Sequence, residues 1–569
     1  MSEQRRRRWQ IVVTGTLMLL VDLAVLAPRL VFPNATAGGA VERPATRPRL
    51  PGIAYELGLV FCVLVLTANT RWSRLVRVVA TVVFAAYLFF SIYHEAYMRF
   101  VFNGPAVVDD WRLLINLMHF LRIASVGWTV AVVGWALAYV LIVGLAAWTF
   151  RRVQEQARAL SWRWRAAVAL GFTIVGGAMV TWVKHPPANA FVQPLGDSVV
   201  ANLKASRTAL ASLRVVAEPP DTRYDHFATT PLGHRPNVYL LTVEAYGELL
   251  ARCPSKPAYR DLLGRIEARL DRAGFHARSG YSAAPIYGAR SWLSMATMQT
   301  GIHIDAQPAF RVLENNAARV PTLTSFFQAH GYHTMMLQPL DGPRVGVASD
   351  DIYRRDRTVI RKDLPYRGAP QGLAGVPDQY SLGYFDEHEL RSAPQPRFVF
   401  YMGVSTHYNW WTPPPYVADW HRLDGQLKPA DAVSWPTLDG QGQIADPMLA
   451  DYLATIEYEW RVLADFIEAR RDEDALLIVI GDHQPTRIEC ADVPVNFDTP
   501  IHVISRDRLL VDSFAEVGLT AGLFAEPGRS PPLRHEGLFS LLVAKLTAQT
   551  GPAPVEYLPT GIPLNGLHR

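Results

Sequence analysis

Asp482 and His483 are adjacent and directly follow an unbroken apolar run, ALLIVIG, at residues 475–481. Glu244 follows a second such run, NVYLLTV (237–243), and His407 follows a third, RFVFYMG (397–403), after the short link VST. Carboxylates and imidazoles hold divalent cations and carry protons to and from a reacting oxygen. Taken singly, each has an ordinary explanation: a glutamate at a strand end often neighbours a helix cap, and a single histidine is usually solvated. Three strands that deliver such groups together make a stronger case, because a site is built from donors that converge from separate parts of the chain.

That convergence depends on the elements that carry the side chains. From Asn237 onward, NVYLLTV, YHTMML, RFVFYMG, ALLIVIG and PIHVIS alternate with stretches of helical periodicity. Strands this continuously apolar are buried on both faces. The pattern therefore predicts an α/β domain over 236–569, with a mainly parallel sheet sandwiched by helices. In such sheets the reactive groups collect just beyond the carboxyl ends of the strands, which is where Glu244, His407, Asp482 and His483 fall. Ser291, in YGARSWLSMATM, opens a predicted helix whose first amide groups would face an anion. The same serine would also serve as a plain helix cap, and Ser294 and Thr297 are competing hydroxyls one and two turns further on.

The first third of the chain is of another class. At 569 residues the protein is too long for a single core. Five apolar segments, at roughly 10–32, 53–69, 76–98, 127–149 and 165–183, are of the size needed to cross a hydrocarbon layer of about 30 Å. Much of the basic excess behind the net charge of +5 sits between these segments and in Arg5, Arg6, Arg7 and Arg8, which points to membrane topology rather than nucleic-acid binding. Arg71, Arg74 and Arg77, then Arg151, Arg152, Arg158, Arg163 and Arg165, flank alternate connections. The positive-inside rule then leaves everything after about residue 184 outside the cytoplasm. The organisation expected is an anchor over 1–183, with an interfacial helix near 107–123, a linker with an amphipathic helix over 184–235, and the external domain over 236–569. Three cysteines exclude a disulfide-rich scaffold, and Cys62 lies inside an apolar run as a packing residue.

NVYLLTVEAYGELL, YGARSWLSMATMQTG, GVSTHYNWWTPPPY and IVIGDHQP, in that order behind five apolar segments, resemble the alkaline phosphatase and sulfatase superfamily. Within it the chain is most similar to lipoteichoic acid synthases, related phosphoglycerol transferases and lipid A phosphoethanolamine transferases. The resemblance implies an alkaline-phosphatase-like fold in which Glu244, Asp482 and His483 hold a divalent metal, with Ser291 as its fourth contact and as the nucleophile. Two carboxylates and an imidazole suit Zn²⁺ or Mn²⁺. It implies His407 as the substrate-side histidine. Arg290, beside Ser291, and Arg344, in LDGPRVG, are candidate partners for phosphate oxygens, with surface charge the alternative, and Trp410 and Trp411, close behind His407, are candidates for a pocket wall, with core packing the alternative. Those transferases generally carry threonine at the nucleophile position, whereas this chain has Ser291, as the alkaline phosphatases do. It also lacks the cysteine pairs that brace the phosphoethanolamine transferases, which favours the phosphoglycerol side.

The implied activity is metal-dependent transfer of a phosphoglycerol or phosphoethanolamine headgroup from a phospholipid to a cell-envelope glycan or lipid, through a phosphoserine. The implied location is the bacterial inner membrane, with the catalytic domain periplasmic or extracellular. The alternatives are a membrane-bound phosphodiesterase or sulfatase-like hydrolase, and a non-catalytic membrane scaffold. A true sulfatase needs a formylglycine motif with Pro or Ala and then Arg after the modified residue, and Ser291-Trp-Leu-Ser-Met offers neither. Cys253 lies nine residues after Glu244 and Cys490 seven after His483, so converging metal ligands would bring their loops together and predict a disulfide between them.

Overall fold

The computed structural model describes residues 12–21, 24, 55–101, 107, 126–183, 196–212, 224, 227–340, 352–368, 375–408, 410, 413–418, 444–485, 488, 490, 493–494, 496–547 and 555–564. Two compact units divide the chain, the first formed by 1–110 and 117–207 and the second by 111–116 and 208–569.

In the first unit the described helices are α1 (Val12–Val21), α2 (Tyr55–Leu66), α3 (Ser73–Val101), α4 (Val126–Arg158) and α5 (Trp162–Val183). Phe61, Phe84 and Phe150 meet edge to face at their centre, while Val82, Leu137, Val140 and Leu141 turn outward and are exposed. Stretches within α3 (Ser73–His94) and α4 (Val132–Arg158) are long and apolar enough to cross a membrane. Of the segment expected over 10–32, the described helix covers Val12–Val21. The segment expected over 53–69 forms the twelve-residue α2, about 18 Å long at 1.5 Å per residue, before the chain turns at Thr67–Trp72. Apart from Val107, the interfacial helix expected near 107–123 lies outside the described residues. The helix α6 (Gly196–Ser212) leads from the first unit into the second.

The second unit is built on one nine-stranded sheet, whose strands are β1 (Asn237–Val243), β2 (His276–Ala283), β3 (His333–Gln338), β4 (Arg357–Ile360), β5 (Arg397–Met402), β6 (Ala475–Gly481), β7 (Asp498–Ser505), β8 (Thr520–Ala521) and β9 (Leu533–Arg534). They lie in the order β4-β3-β5-β1-β6-β7-β2-β8, with β9 beside β2. The strands from β4 to β6 are parallel, as their apolar runs predict. Beyond β6 the sheet is mixed, because β7 is antiparallel to both β6 and β2. Among its described residues the β6–β7 connection holds no helix, and without a crossover element the chain returns beside the strand it has just left. Two reversals leave β2 running in the direction of β1 and β6, so all three present their carboxyl ends at one edge. β9, parallel to β2, ends there too.

Both faces of the sheet are covered. Strand side chains alternate, so Tyr239, Leu241, Val399, Tyr401, Leu477 and Val479 enter one core. That core is completed by α7 (Lys256–Arg272) and further along by α11 (Asp378–Phe385) and α12 (Pro447–Glu468). Val238, Leu240, Phe398, Phe400, Leu476 and Ile478 enter the opposite core. There they meet α8 (Ser291–Thr300), α9 (Gln307–Asn315), α10 (Leu323–Ala329) and α14 (Leu538–Leu546), while the short α13 (Arg508–Ser513) packs near β7. The runs β1 and β6 are buried at every position, which fixes their register against both layers.

Candidate metal centre and nucleophile

Where β1 ends, the chain turns sharply through Ala245, whose φ of 53° lies in the left-handed region that alanine seldom adopts. Two hydrogen bonds hold it there: Ala245 N donates to Asp482 Oδ1 at 2.8 Å, and Tyr452 Oη donates to Ala245 O at 2.6 Å. The turn places Glu244 beside Asp482 and His483, which emerge from the neighbouring β6. Donor atoms of these three buried residues all lie within 4.8 Å of one another.

Ser291 comes from a different element. It is the first residue of α8, after Gly288, Ala289 and Arg290, all of them at positive φ. It is not the helix cap, a position held by Arg290. Its hydroxyl instead donates to Glu244 Oε2 at 2.8 Å and lies 3.3 Å from His483 Nε2. The rival hydroxyls are engaged elsewhere: Ser294 donates to Asp482 O at 2.6 Å, and Thr297 accepts from Ile304 N at 3.0 Å. Arg290 is buried next to the nucleophile candidate.

Three features fit this cluster to a divalent cation. His483 Nδ1 donates to the Gln484 carbonyl at 2.9 Å, which fixes the tautomer that leaves Nε2 toward the carboxylates. Asp482 Oδ1 is occupied by Ala245 N and His483 N, whereas the buried Oδ2 has no hydrogen-bond partner among the described residues and lies 3.5 Å from His483 Nε2. Two buried carboxylates in one pocket also demand positive charge. Burial alone would raise the Glu244 carboxyl, but the neighbouring His483 charge draws it down to about 2. Burial and then the Glu244 charge push Asp482 up. For His483, burial opposes the charged form, but the attraction of Asp482 and Glu244 wins and raises it to about 9. Without an ion, the cluster draws a proton onto His483 in its place.

His407 follows β5 on a turn of its own, 403–407, and stands near enough for its charge to contribute to the lowering of Glu244. Its Nδ1 donates to Tyr408 O at 2.6 Å, which leaves Nε2 as the remaining proton site. Trp410, for which pocket wall and core were both open, is in the core. It is 2% exposed, donates from Nε1 to Thr406 O at 2.7 Å and packs on Tyr452. Burying the indole while satisfying its one donor is the arrangement that braces the turn. Arg344 and Trp411 lie outside the described residues.

Cys253 and Cys490 are joined in a disulfide, Cα to Cα 5.7 Å, across a separation of 237 residues. Beside it Asn496 crosses between the same two loops to bond the buried Glu248 carboxylate, which Arg252, on the same loop as Glu248, also grips at 2.6 and 2.9 Å. Gln484 donates to Asn496 Oδ1 at 2.7 Å. Sequence reasoning missed His535, which sits at the end of β9 with no apolar run before it to mark the position. It is fully buried, and its Nε2 donates to Gly481 O at 3.1 Å while its Nδ1 accepts from Ser282 at 2.8 Å. Burial pushes this imidazole down to about 4, so it remains neutral and staples the ends of β2 and β6 together.

A family model described as Sulfatase matches residues 259–503, a stretch that takes in Ser291, His407, Asp482 and His483 and begins after Glu244. No curated protein matches the chain. Among solved structures, the lipoteichoic acid synthase LtaP from Listeria monocytogenes is similar at 12% identity and a TM-score of 0.37, covering 63% of this chain and 80% of that one. The C-terminal periplasmic domain of EcEptC from Escherichia coli is similar at 14% identity and a TM-score of 0.35, covering 60% and 91%. The phosphoglycerol transferase GacH from Streptococcus pyogenes, in complex with sn-glycerol-1-phosphate, is similar at 11% identity and a TM-score of 0.33, covering 61% and 87%.

Proposed function

We propose, on the match of residues 259–503 to the Sulfatase family model and on the site geometry, a membrane-anchored, metal-dependent phosphotransferase that moves a phospholipid headgroup, phosphoglycerol by preference, onto a cell-envelope glycan or lipid. One observation carries this reading: the Ser291 hydroxyl, at a helix N-terminus, lies within hydrogen-bond reach of Glu244 and His483 in a cluster of cation-binding type.

Glu244, Asp482 and His483 would hold the ion, Zn²⁺ or Mn²⁺, with Ser291 as a further contact. When bound, such an ion favours the alkoxide of a hydroxyl and offsets charge on phosphate oxygens. Ser291 Oγ, its proton released to solvent, would form a bond to phosphorus as the bond from phosphorus to the diacylglycerol oxygen breaks, and a proton from solvent would return to it when the phosphoserine is resolved. His407 gives its proton to the departing oxygen. In the second half an acceptor hydroxyl attacks the phosphoserine and His407 takes the acceptor's proton. The N-terminal end of α8, which starts at Ser291, would face the phosphoryl oxygens throughout. Arg290, beside the nucleophile, is a candidate partner for them.

The anchor is part of the same reading. Five spans over 1–183 would keep the enzyme in the inner membrane with residues 236–569 outside, on the side where a lipid donor is presented. Sulfate-ester hydrolysis is disfavoured, because Ser291 is followed by Trp292, Leu293 and Ser294 rather than by a formylglycine motif.

The purified full chain, incubated with Mn²⁺ or Zn²⁺ and with labelled phosphatidylglycerol or phosphatidylethanolamine, should acquire the headgroup mass on the Ser291 peptide. Ser291→Ala should lose turnover by at least about 10³-fold while still binding metal. Retained activity in that variant moves the nucleophile elsewhere. Release of the free headgroup with no acceptor product identifies a phosphodiesterase, and a protein that binds no metal is a scaffold.

A further inference from the structure

Beneath the His407 turn lie two buried carboxyl groups that the reaction does not use. Asp378, fully buried at the start of α11, accepts from Val404 N at 2.9 Å and from Ser405 N at 2.8 Å, both on Oδ2, and Val404 N also lies 3.1 Å from Oδ1. In return Asp378 N donates to Ser405 Oγ at 2.9 Å. Glu459, 1% exposed on α12, brings a second carboxyl to the same place, and neither of its oxygens has a hydrogen-bond donor among the described residues. Gly403 separates the pair from β1. A methyl group at that position would lie 3.0 Å from Thr242 O, 3.4 Å from Asp378 Oδ2 and 3.6 Å from Glu459 Oε1.

Two carboxylates cannot both stay ionised in so dry a place, and an unpaired one is costly to bury. Burial and then the Asp378 charge push the Glu459 carboxyl well up, which assigns it the proton. A protonated Glu459 has one donor to give, and the acceptor beside it is Asp378. We infer that Asp378 and Glu459 form a hydrogen-bonded carboxyl pair whose task is to position the 403–407 turn and, through it, His407. Asp378 grips two successive amides of the turn, Glu459 orients Asp378, and Trp410 Nε1 donates to Thr406 O further along it. Both are positioning residues. The catalytic part of the inference rests on the reading of His407 as the substrate-side group; the structural part does not.

The test uses the full chain in detergent. Asp378→Asn should speed hydrogen exchange at the Val404 and Ser405 amides by about 10- to 100-fold, because the charged acceptor is lost. It should lower kcat by a similar factor, with KM and bound metal unchanged. Combined with His407→Ala, it should cause no further loss, since both act through one group. Glu459→Leu, which cannot donate, should behave like Asp378→Asn, and Glu459→Gln, which can, should recover most of the turnover. Unchanged exchange at Val404 and Ser405 in both Asp378→Asn and Glu459→Leu overturns the inference. So do activity losses that multiply with His407→Ala, or lost metal. If Asp378→Asn does not fold, Glu459→Leu carries the same exchange test. If the unaltered chain transfers no headgroup, the functional reading fails while amide exchange still decides the pair.

Discussion

At the scale of single residues, the chemistry rests on His483. Its Nε2 faces two carboxylates and a hydroxyl, and in the ion-free site those carboxylates raise its proton affinity to about 9. An incoming ion must displace that proton, so apparent metal affinity should rise with pH toward 9 and flatten above it, and should weaken as pH falls through neutrality. Calorimetric titration in buffers of different ionisation enthalpy should show about one proton released per ion between pH 7 and 8. Glu244, held near 2, stays ionised across that range and contributes no slope. His483→Ala should lower metal affinity by at least about 100-fold without unfolding the sheet, as judged by metal titration alongside circular dichroism.

At the scale of elements, the site depends on what holds loops from different strands together. The disulfide between Cys253 and Cys490 joins the stretch after Glu244 to the stretch after His483, beside the contacts of Glu248 and Asn496. Replacing both cysteines by serine should cost about 2–5 kcal/mol of stability, read as a lower thermal midpoint of the second unit, and should speed metal dissociation. The nucleophile's helix is held at its far end by Gly301, at φ +66°, where a Cβ would fall 2.3 Å from the Tyr224 hydroxyl. Gly301→Ala should therefore destabilise by about 1–2 kcal/mol or more, through both the left-handed backbone and the collision with Tyr224, and calorimetry would register it.

At the scale of the whole molecule, the two units differ in what they turn outward. From residue 224 onward, Leu509 is the one large hydrophobic side chain exposed among the described residues. The helices α3 and α4, by contrast, expose valines, leucines and phenylalanine along their length. Such helices are suited to lipid rather than water. With the proposed topology, protease added to spheroplasts should remove residues beyond about 184 and leave the anchor protected. A protected second unit would reverse the orientation and, with it, access to an outer-leaflet donor.

Sequence alone determined the layered character of the second unit, because continuous apolar runs such as 237–243 and 475–481 are stable only when covered on both faces. It also singled out Glu244, Asp482, His483 and, after a short link, His407, since ligand-type side chains behind such runs stand out against their neighbours; Ser291 follows no such run and is marked by its place at a predicted helix start and by the family resemblance. Sequence could not show that β7 runs against β6, that β2 joins the sheet through the polar stretch HARSGYSA, or that His535 closes the edge, for these depend on which strand each segment meets. The same holds for Trp410, whose composition suits a pocket wall or a core equally, and for Asp378 and Glu459, 81 residues apart with no motif between them. Periodicity reports how a segment meets its immediate layer. Only tertiary packing decides which buried polar groups face one another, because that pairing is fixed by contacts between segments distant in the chain.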